Sequence, residues 1–179
     1  MDQRPIVAVT LGDPCGIGPE VVAKALGRAD IRELCTPLVV GSAAVLRDMA
    51  ARLRRGLTGG EVESATEALT SMDTIAVLDP HNLDLNTIVL GEVFMEAGRS
   101  SVEWIDRAAR LCLSGDAQAM ATAPINKEAA ALAGFKEIGH MELLQKLTGA
   151  TEVATMLISG ELRVVHLTTH RSLRTACDA

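Results

Sequence analysis

The stretch from Ile6 to Leu26, IVAVTLGDPCGIGPEVVAKAL, constrains the fold more than any other. Ile6 to Leu11 is a continuous apolar run, the pattern of a strand buried on both faces. The nine residues from Gly12 to Glu20 hold three glycines and two prolines. A helix is predicted to follow, from about Pro19 to Gly27. A doubly buried strand needs helices on both sides of its sheet, which predicts an α/β protein.

The turn itself admits two readings. Backbone N–H groups at a helix start are unpaired and the helix dipole favours negative charge, so a Gly-rich turn there can cradle an anion. Gly16 and Gly18 would let a ligand approach the backbone, and Pro19 needs no N–H at a helix start. Alternatively, the small residues serve only a tight β–α connection. The spacing excludes two familiar cradles: Gly16-Ile-Gly18-Pro-Glu-Val21 lacks the third glycine of a dinucleotide fingerprint, and no Gly-Lys-Ser/Thr follows. The carboxylates of Asp13 and Glu20 suit hydroxyl groups or a metal better than phosphate.

Further strands are expected around Leu38 to Val40, Ile75 to Leu78 and Gln118 to Ala123, the last again buried in composition. Helices are expected over Ala43 to Leu53 and Val93 to Leu113. In the latter, Val93, Phe94, Ala97, Trp104, Ile105, Ala108, Leu111 and Cys112 fall near one face. Thr58 to Met72 is polar and weakly periodic. Short helices fit Lys127 to Ala133 and Met141 to Leu147. Val153 to Ile158 and Leu162 to Thr168, joined by Ser159-Gly160-Glu161, predict an antiparallel hairpin. The expected architecture is a mixed, mostly parallel sheet with flanking helices, with no evident internal domain boundary.

Composition narrows the partners. The 179 residues carry a net charge of −6 and include one Trp, two Phe and no Tyr, so the core must be aliphatic and base stacking has little to work with. The one basic run, Arg52 to Arg55, reads as a solvated helix end, and nucleic acid is not expected as a partner. Cys15, Cys35, Cys112 and Cys177 form no CxxC pair, which fits reduced thiols in the cytoplasm. The first ten residues lack a signal-peptide core, and no segment has the length of a membrane span.

Candidate site residues gather in three segments. In ATAPINKEA, Asn126 fits a helix N-cap and Lys127 the first turn, where the dipole disfavours a cation; function and simple solvation both remain open. In IGHMELL, His140 sits at a loop-to-helix junction, placed to bind an anion or to cap the helix. In HLTTH, His166, Thr168 and His170 would share one face of a strand, with His170 at its carboxyl end, where open α/β sheets place ligands. Each imidazole reads either as a metal ligand or as an ordinary polar residue. His81, beside Asp79-Pro80, reads as a turn residue.

Four segments in order, GDPCGIGPE, TAPINKEA, GHMELL and LRVVHLTTHRSLR, resemble the 4-hydroxythreonine-4-phosphate dehydrogenase family of vitamin B6 biosynthesis, whose relatives act on threonate and erythronate phosphates. The resemblance runs from Ile6 to the end of the chain. It implies an isocitrate/isopropylmalate-dehydrogenase-like fold and a homodimer with sites between subunits. It also implies NAD-dependent oxidation of a phosphorylated hydroxy acid, then decarboxylation, assisted by a divalent metal such as Zn, Mg, Mn or Co. His170 matches the first of three metal-binding histidines. His140 matches a substrate-binding histidine, and Met141 stands beside it where the family has Thr, which bears on the choice of substrate. Asp13 would line this pocket, and Asp13 and Lys127 are the catalytic candidates. The family's proteins are nearly twice as long. The expectation is therefore an N-terminal portion that does not catalyse alone, against the alternative of a non-catalytic ligand-binding or oligomerising module.

Overall fold

The computed structural model describes residues 4–54, 56–70, 74–136, 139–166, 168 and 172–177. The chain divides into two compact units, Met1–Ile138 and Gly139–Ala179.

The first unit opens with β1 (Ile6–Thr10), α1 (Gly18–Leu26), a short α2 (Ala29–Leu34), β2 (Thr36–Val40) and α3 (Ala43–Arg52). β3 (Gly59–Glu61), a 3-10 segment at Ala65–Thr70, β4 (Ile75–Leu78) and a 3-10 turn at Leu85–Thr87 follow. α4 (Met95–Ser114), β5 (Ala119–Thr122) and α5 (Lys127–Leu132) complete it. The strands form one sheet in the order β3-β4-β2-β1-β5, and every pairing is parallel. Ile6 stands opposite Thr36 and Thr10 opposite both Val40 and Thr122. β2 and β4 are buried along their whole length, as continuous apolar runs on a doubly covered sheet must be. Leu38, Val39, Val40 and Val77 form the middle of an aliphatic core, and Trp104 of α4 is its one large aromatic.

Several expectations change in detail. Gln118 to Ala123 has the composition of a buried strand, yet β5 is the sheet's edge and Ala119, Ala121 and Thr122 are exposed. Composition records that a strand is fit for burial, but not which neighbours it finds. Val93 and Phe94 precede α4 rather than lining it, and Val93 is exposed. Two serines take places on the buried face: Ser100 Oγ donates to the Asn82 carbonyl at 3.0 Å and Ser101 Oγ to the Gly98 carbonyl at 2.9 Å.

The second unit holds α6 (His140–Thr148), β6 (Met156–Ser159), β7 (Leu162–Val165) and α7 (Leu173–Cys177). β6 and β7 make the expected antiparallel hairpin, with Ser159 opposite Leu162, as a sheet of their own. The strand expected through Thr168 ends at Val165. Met156, the first residue of β6, is opposite Val165, and the pairing among the described residues ends there. His166 and Thr168 thus lie past the strand, and the expectation that they share its face is not met.

Candidate active site at the carboxyl edge of the sheet

In the first unit, the loops leaving the strands are stitched together by their backbones. Leu11 N–H donates to Val40 O at 3.1 Å, Gly41 N–H to Leu78 O at 3.2 Å, and Ala123 N–H to Thr10 O at 3.3 Å. The closing bond of the series runs from Asp13 N–H to Pro124 O at 2.9 Å. It brings the GDPCGIGPE segment against the TAPINK segment at the carboxyl ends of β1 and β5, where parallel sheets place their ligands.

This contact explains much of the stiff opening turn. Gly12 has φ +74°, and a Cβ there would stand 2.5 Å from Pro124 O. A Cβ on Gly18 would stand 2.5 Å from Leu11 O. At both positions the small residue is required by the close β–α connection itself. Of the two readings of the turn, tight packing is therefore the one the geometry demands at Gly18. The start of α1 carries no side-chain cap, and its N-cap Ile17 is exposed.

Asp13 is 7% exposed, and its Oδ1 accepts the Cys15 N–H at 2.9 Å. Burial pushes its carboxyl above the ordinary carboxylate range, and the Cys15 bond pulls it partly back. The Cys15 thiol is pushed up to about 11, by burial first and by the Asp13 charge second. A thiol that stays protonated and enclosed is a poor nucleophile. Native-state alkylation followed by mass mapping should modify the exposed Cys177 rapidly and Cys15 only as slowly as the protein unfolds. Equal rates at the two sites would contradict this enclosure.

Asn126 caps α5 as its position suggests, with Oδ1 accepting the N–H groups of Glu128 at 2.9 Å and Ala129 at 3.1 Å. Lys127 is the first residue of that helix, exposed, and makes no ion pair among the described residues. In the second unit, His140 opens α6 and its Nε2 is buried. Met141 is 40% exposed, and its sulfur accepts the Thr155 hydroxyl at 2.7 Å. His166 is exposed. His170, the expected metal ligand, lies outside the described residues.

Asp79 is a polar group whose role composition did not disclose. Its Oδ2 accepts the Ala43 N–H at the start of α3, at 2.9 Å, and its Oδ1 accepts the His81 N–H at 2.8 Å. The signal was the Asp79-Pro80 pair, which reads simply as a strand terminator. His81 adopts φ +54°, in keeping with a turn. The same loop is tied to α4: Asn82 Oδ1 accepts the Trp104 indole N–H at 2.9 Å.

Glu61, Asp79 and His81 form the one cluster of three metal-ligating side chains among the described residues. One ligand atom from each of the three lies within 4.8 Å of the others. His81 Nε2 faces Glu61 at 3.6 Å while its Nδ1 faces Asp79 at 3.9 Å, so each ring nitrogen addresses a different carboxylate. Glu61 is further engaged by Arg47 at 3.3 Å. This is the arrangement of an imidazole between two acids.

A parallel α/β unit whose two motif-bearing loops meet at its carboxyl edge defines the class of protein. Comparison with known proteins then specifies it. The family described as pyridoxal phosphate biosynthetic protein PdxA matches residues 33–179, and the chain belongs to that family. A Clostridium botulinum relative provisionally named D-threonate 4-phosphate dehydrogenase is 35% identical over 178 residues, 99% of this chain and 53% of the relative. A Symbiobacterium thermophilum protein with the same provisional name is 37% identical over 177 residues, with the same shares. The crystal structure of a 4-hydroxythreonine-4-phosphate dehydrogenase from Burkholderia phymatum superimposes with a TM-score of 0.90 at 36% identity, covering 97% of this chain and 52% of that one. A terephthalate 1,2-cis-dihydrodiol dehydrogenase from Burkholderia xenovorans LB400 superimposes at 0.71 with 28% identity, covering 97% and 50%. The chain thus spans about half the length of the relatives it matches. Among the described residues, no helix is long and apolar enough to cross a membrane.

Proposed function

We propose that the chain is the N-terminal portion of a cytoplasmic, homodimeric dehydrogenase that oxidises a phosphorylated four-carbon hydroxy acid, such as 4-hydroxythreonine 4-phosphate or D-threonate 4-phosphate, with NAD as hydride acceptor and decarboxylation to follow. Family membership supports the class of reaction. The single structural observation that carries the reading is the 2.9 Å bond from Asp13 N–H to Pro124 O, because it gathers two of the four diagnostic segments at one sheet edge.

Within that reading, Asp13 and Lys127 serve the chemistry at the first unit's carboxyl edge. The Asp13 carboxyl, raised by burial, is fitted to accept or donate a proton, and an ammonium at Lys127 to pair with an anionic substrate group. His140 and Met141 contact substrate, and Met141 shapes the choice among hydroxy-acid phosphates. His170 is assigned to a divalent metal, which supplies Lewis-acid polarisation of the alcohol when bound. Nicotinamide supplies the hydride chemistry.

The test is an assay of the product of the complete reading frame against four-carbon hydroxy-acid phosphates and their dephosphorylated counterparts. NADH formation that requires the phosphate, and falls at least about a hundredfold in Lys127→Ala, is the expected result. No nicotinamide reduction with any of these substrates, or unimpaired Lys127→Ala, would overturn the reading.

A further inference from the structure

The outer end of the sheet carries side-chain chemistry that the proposed dehydrogenase reaction does not use. Glu61 is the last residue of β3 and Asp79 follows β4, so two paired parallel strands deliver carboxylates to one edge. His81, two residues further on, sets its ring between them.

The three side chains are not equivalent. Asp79 is enclosed, with 9% of its side chain exposed, and both of its oxygens are engaged by backbone. Oδ2 accepts the Ala43 N–H at 2.9 Å and Oδ1 accepts the His81 N–H at 2.8 Å, which fixes the backbone carrying the imidazole. Glu61 divides its oxygens. Oε1 accepts both Arg47 Nη groups at 3.3 Å, while Oε2 faces His81 Nε2 at 3.6 Å and accepts no hydrogen bond among the described residues. One carboxylate oxygen and one ring nitrogen are thus aimed at each other across a gap.

The width of that gap decides what suits it. At 3.6 Å it is too wide for an N–H···O hydrogen bond, which closes to about 2.7–3.2 Å. Two ligand atoms on a tetrahedral zinc ion, each about 2.05 Å from it, stand about 3.4 Å apart. The pair need close by only about 0.2 Å to hold such an ion. With Nε2 on the ion, the ring proton is left on Nδ1, which faces Asp79 Oδ1 at 3.9 Å. A metal-bound imidazole is commonly backed by a carboxylate in this way. The side chains of His81 and Glu61 are 73% and 42% exposed, so water reaches the remaining coordination positions. An imidazole in the ligand set selects zinc-like ions over magnesium and calcium, which favour oxygen ligands throughout.

We propose that Glu61 Oε2 and His81 Nε2, with Asp79 behind the ring, take a zinc-class divalent cation. The ion ties β3, the sheet's three-residue edge strand, to the turn that follows β4. The site shares no residue with the metal assigned above to His170 and does not depend on that assignment.

Histidine ring signals of the chelator-stripped product of the complete reading frame, followed by NMR during a zinc titration, test the site. The His81 signals are those missing from His81→Asn, a replacement that tolerates the φ of +54° at this position. Zinc should shift them saturably, and magnesium at the same concentrations should not. Glu61→Gln should weaken the apparent Kd at least about tenfold. Arg47→Gln should tighten it, because a positive charge beside the cation is removed. Asp79→Asn should change the His81 ring tautomer, read from its nitrogen shifts, as well as the affinity. Unmoved His81 signals overturn the proposal, as does a response undiminished in Glu61→Gln. An equal response to magnesium also overturns it, since that marks diffuse attraction to an acidic surface. Zinc shifts confined to His140, His166 or His170 would likewise reject this site while leaving the His170 assignment standing.

Discussion

Replacing Gly98 with valine should leave the first unit unable to fold, and even alanine should cost several kcal/mol. A Cβ at this position of α4 would stand 2.1 Å from both the carbonyl carbon and oxygen of Ala129, and 2.5 Å from Ala130 N. These are backbone atoms of α5, so no rotamer change relieves the contact. Restoring ordinary carbon–carbon separation requires the helices to part by about 1.5 Å. Parting them opens Ala97, Ala129 and Ala130, which are at most 1% exposed. Intrinsic helix preference predicts the opposite sign, a gain of about 1 kcal/mol for Gly→Ala in a helix interior. Overpacking a tight contact costs about 1–3 kcal/mol and more against rigid backbone, so the steric effect wins for alanine and dominates for valine. Urea unfolding of Gly98→Ala, read as a shift in midpoint at unchanged slope, distinguishes them. A midpoint equal to or above that of the parent would show that the two helices do not sit this close. The consequence reaches the site, because α5 begins at Lys127 and the preceding Pro124 carbonyl holds Asp13.

That close crossing was not readable from the sequence, and the reason is general. Patterns along a chain report what an element buries, whereas Gly98 and Ala129 belong to elements that only tertiary structure brings together. β1, β2, β4 and most of α4 were legible because their apolar runs and 3.6-residue spacing are local properties. Asn126 was legible as a cap for the same reason. α2 was not, because ADIREL buries no residue and so leaves no apolar period. β3 was missed because Gly59–Glu61 joins the sheet edge by backbone pairing alone, with little side-chain signal. The division at Ile138 is unmarked by any change in composition. Asp13 and Lys127 stand out in the sequence as candidates by residue type and position, but the bond that joins their segments links Asp13 to Pro124. The capping role of Asp79 depends likewise on α3 starting beside the end of β4.

Asp13→Asn should hold or raise stability at neutral pH while lowering kcat/KM of the complete enzyme by about a hundredfold, the loss of about 2.7 kcal/mol of transition-state stabilisation. The asparagine oxygen can still accept the Cys15 N–H that closes the turn at 2.9 Å, and the change removes a charge from a site only 7% exposed. The sign follows from linkage. Burial raises the folded-state pKa of Asp13 above its unfolded value of 3.8, so between the two pKa values the native state holds more protons than the unfolded one. Stability from this group therefore falls as pH rises through that window, and the full penalty is in place above the folded pKa. The asparagine variant should lack this slope, so its stability should gain on the parent as pH rises from the acid side. Asp13→Ala behaves differently: it strands the Cys15 N–H without an acceptor and should cost about 1–2 kcal/mol. A carboxylate kept where an amide would be at least as stable is explained by a demand other than folding, since sites that trade stability for activity carry this signature. Denaturation profiles of the three proteins across pH, set beside their activities, decide the matter. An asparagine variant less stable than the parent at neutral pH would reduce Asp13 to a turn-forming residue, and one with undiminished activity would remove it from the chemistry.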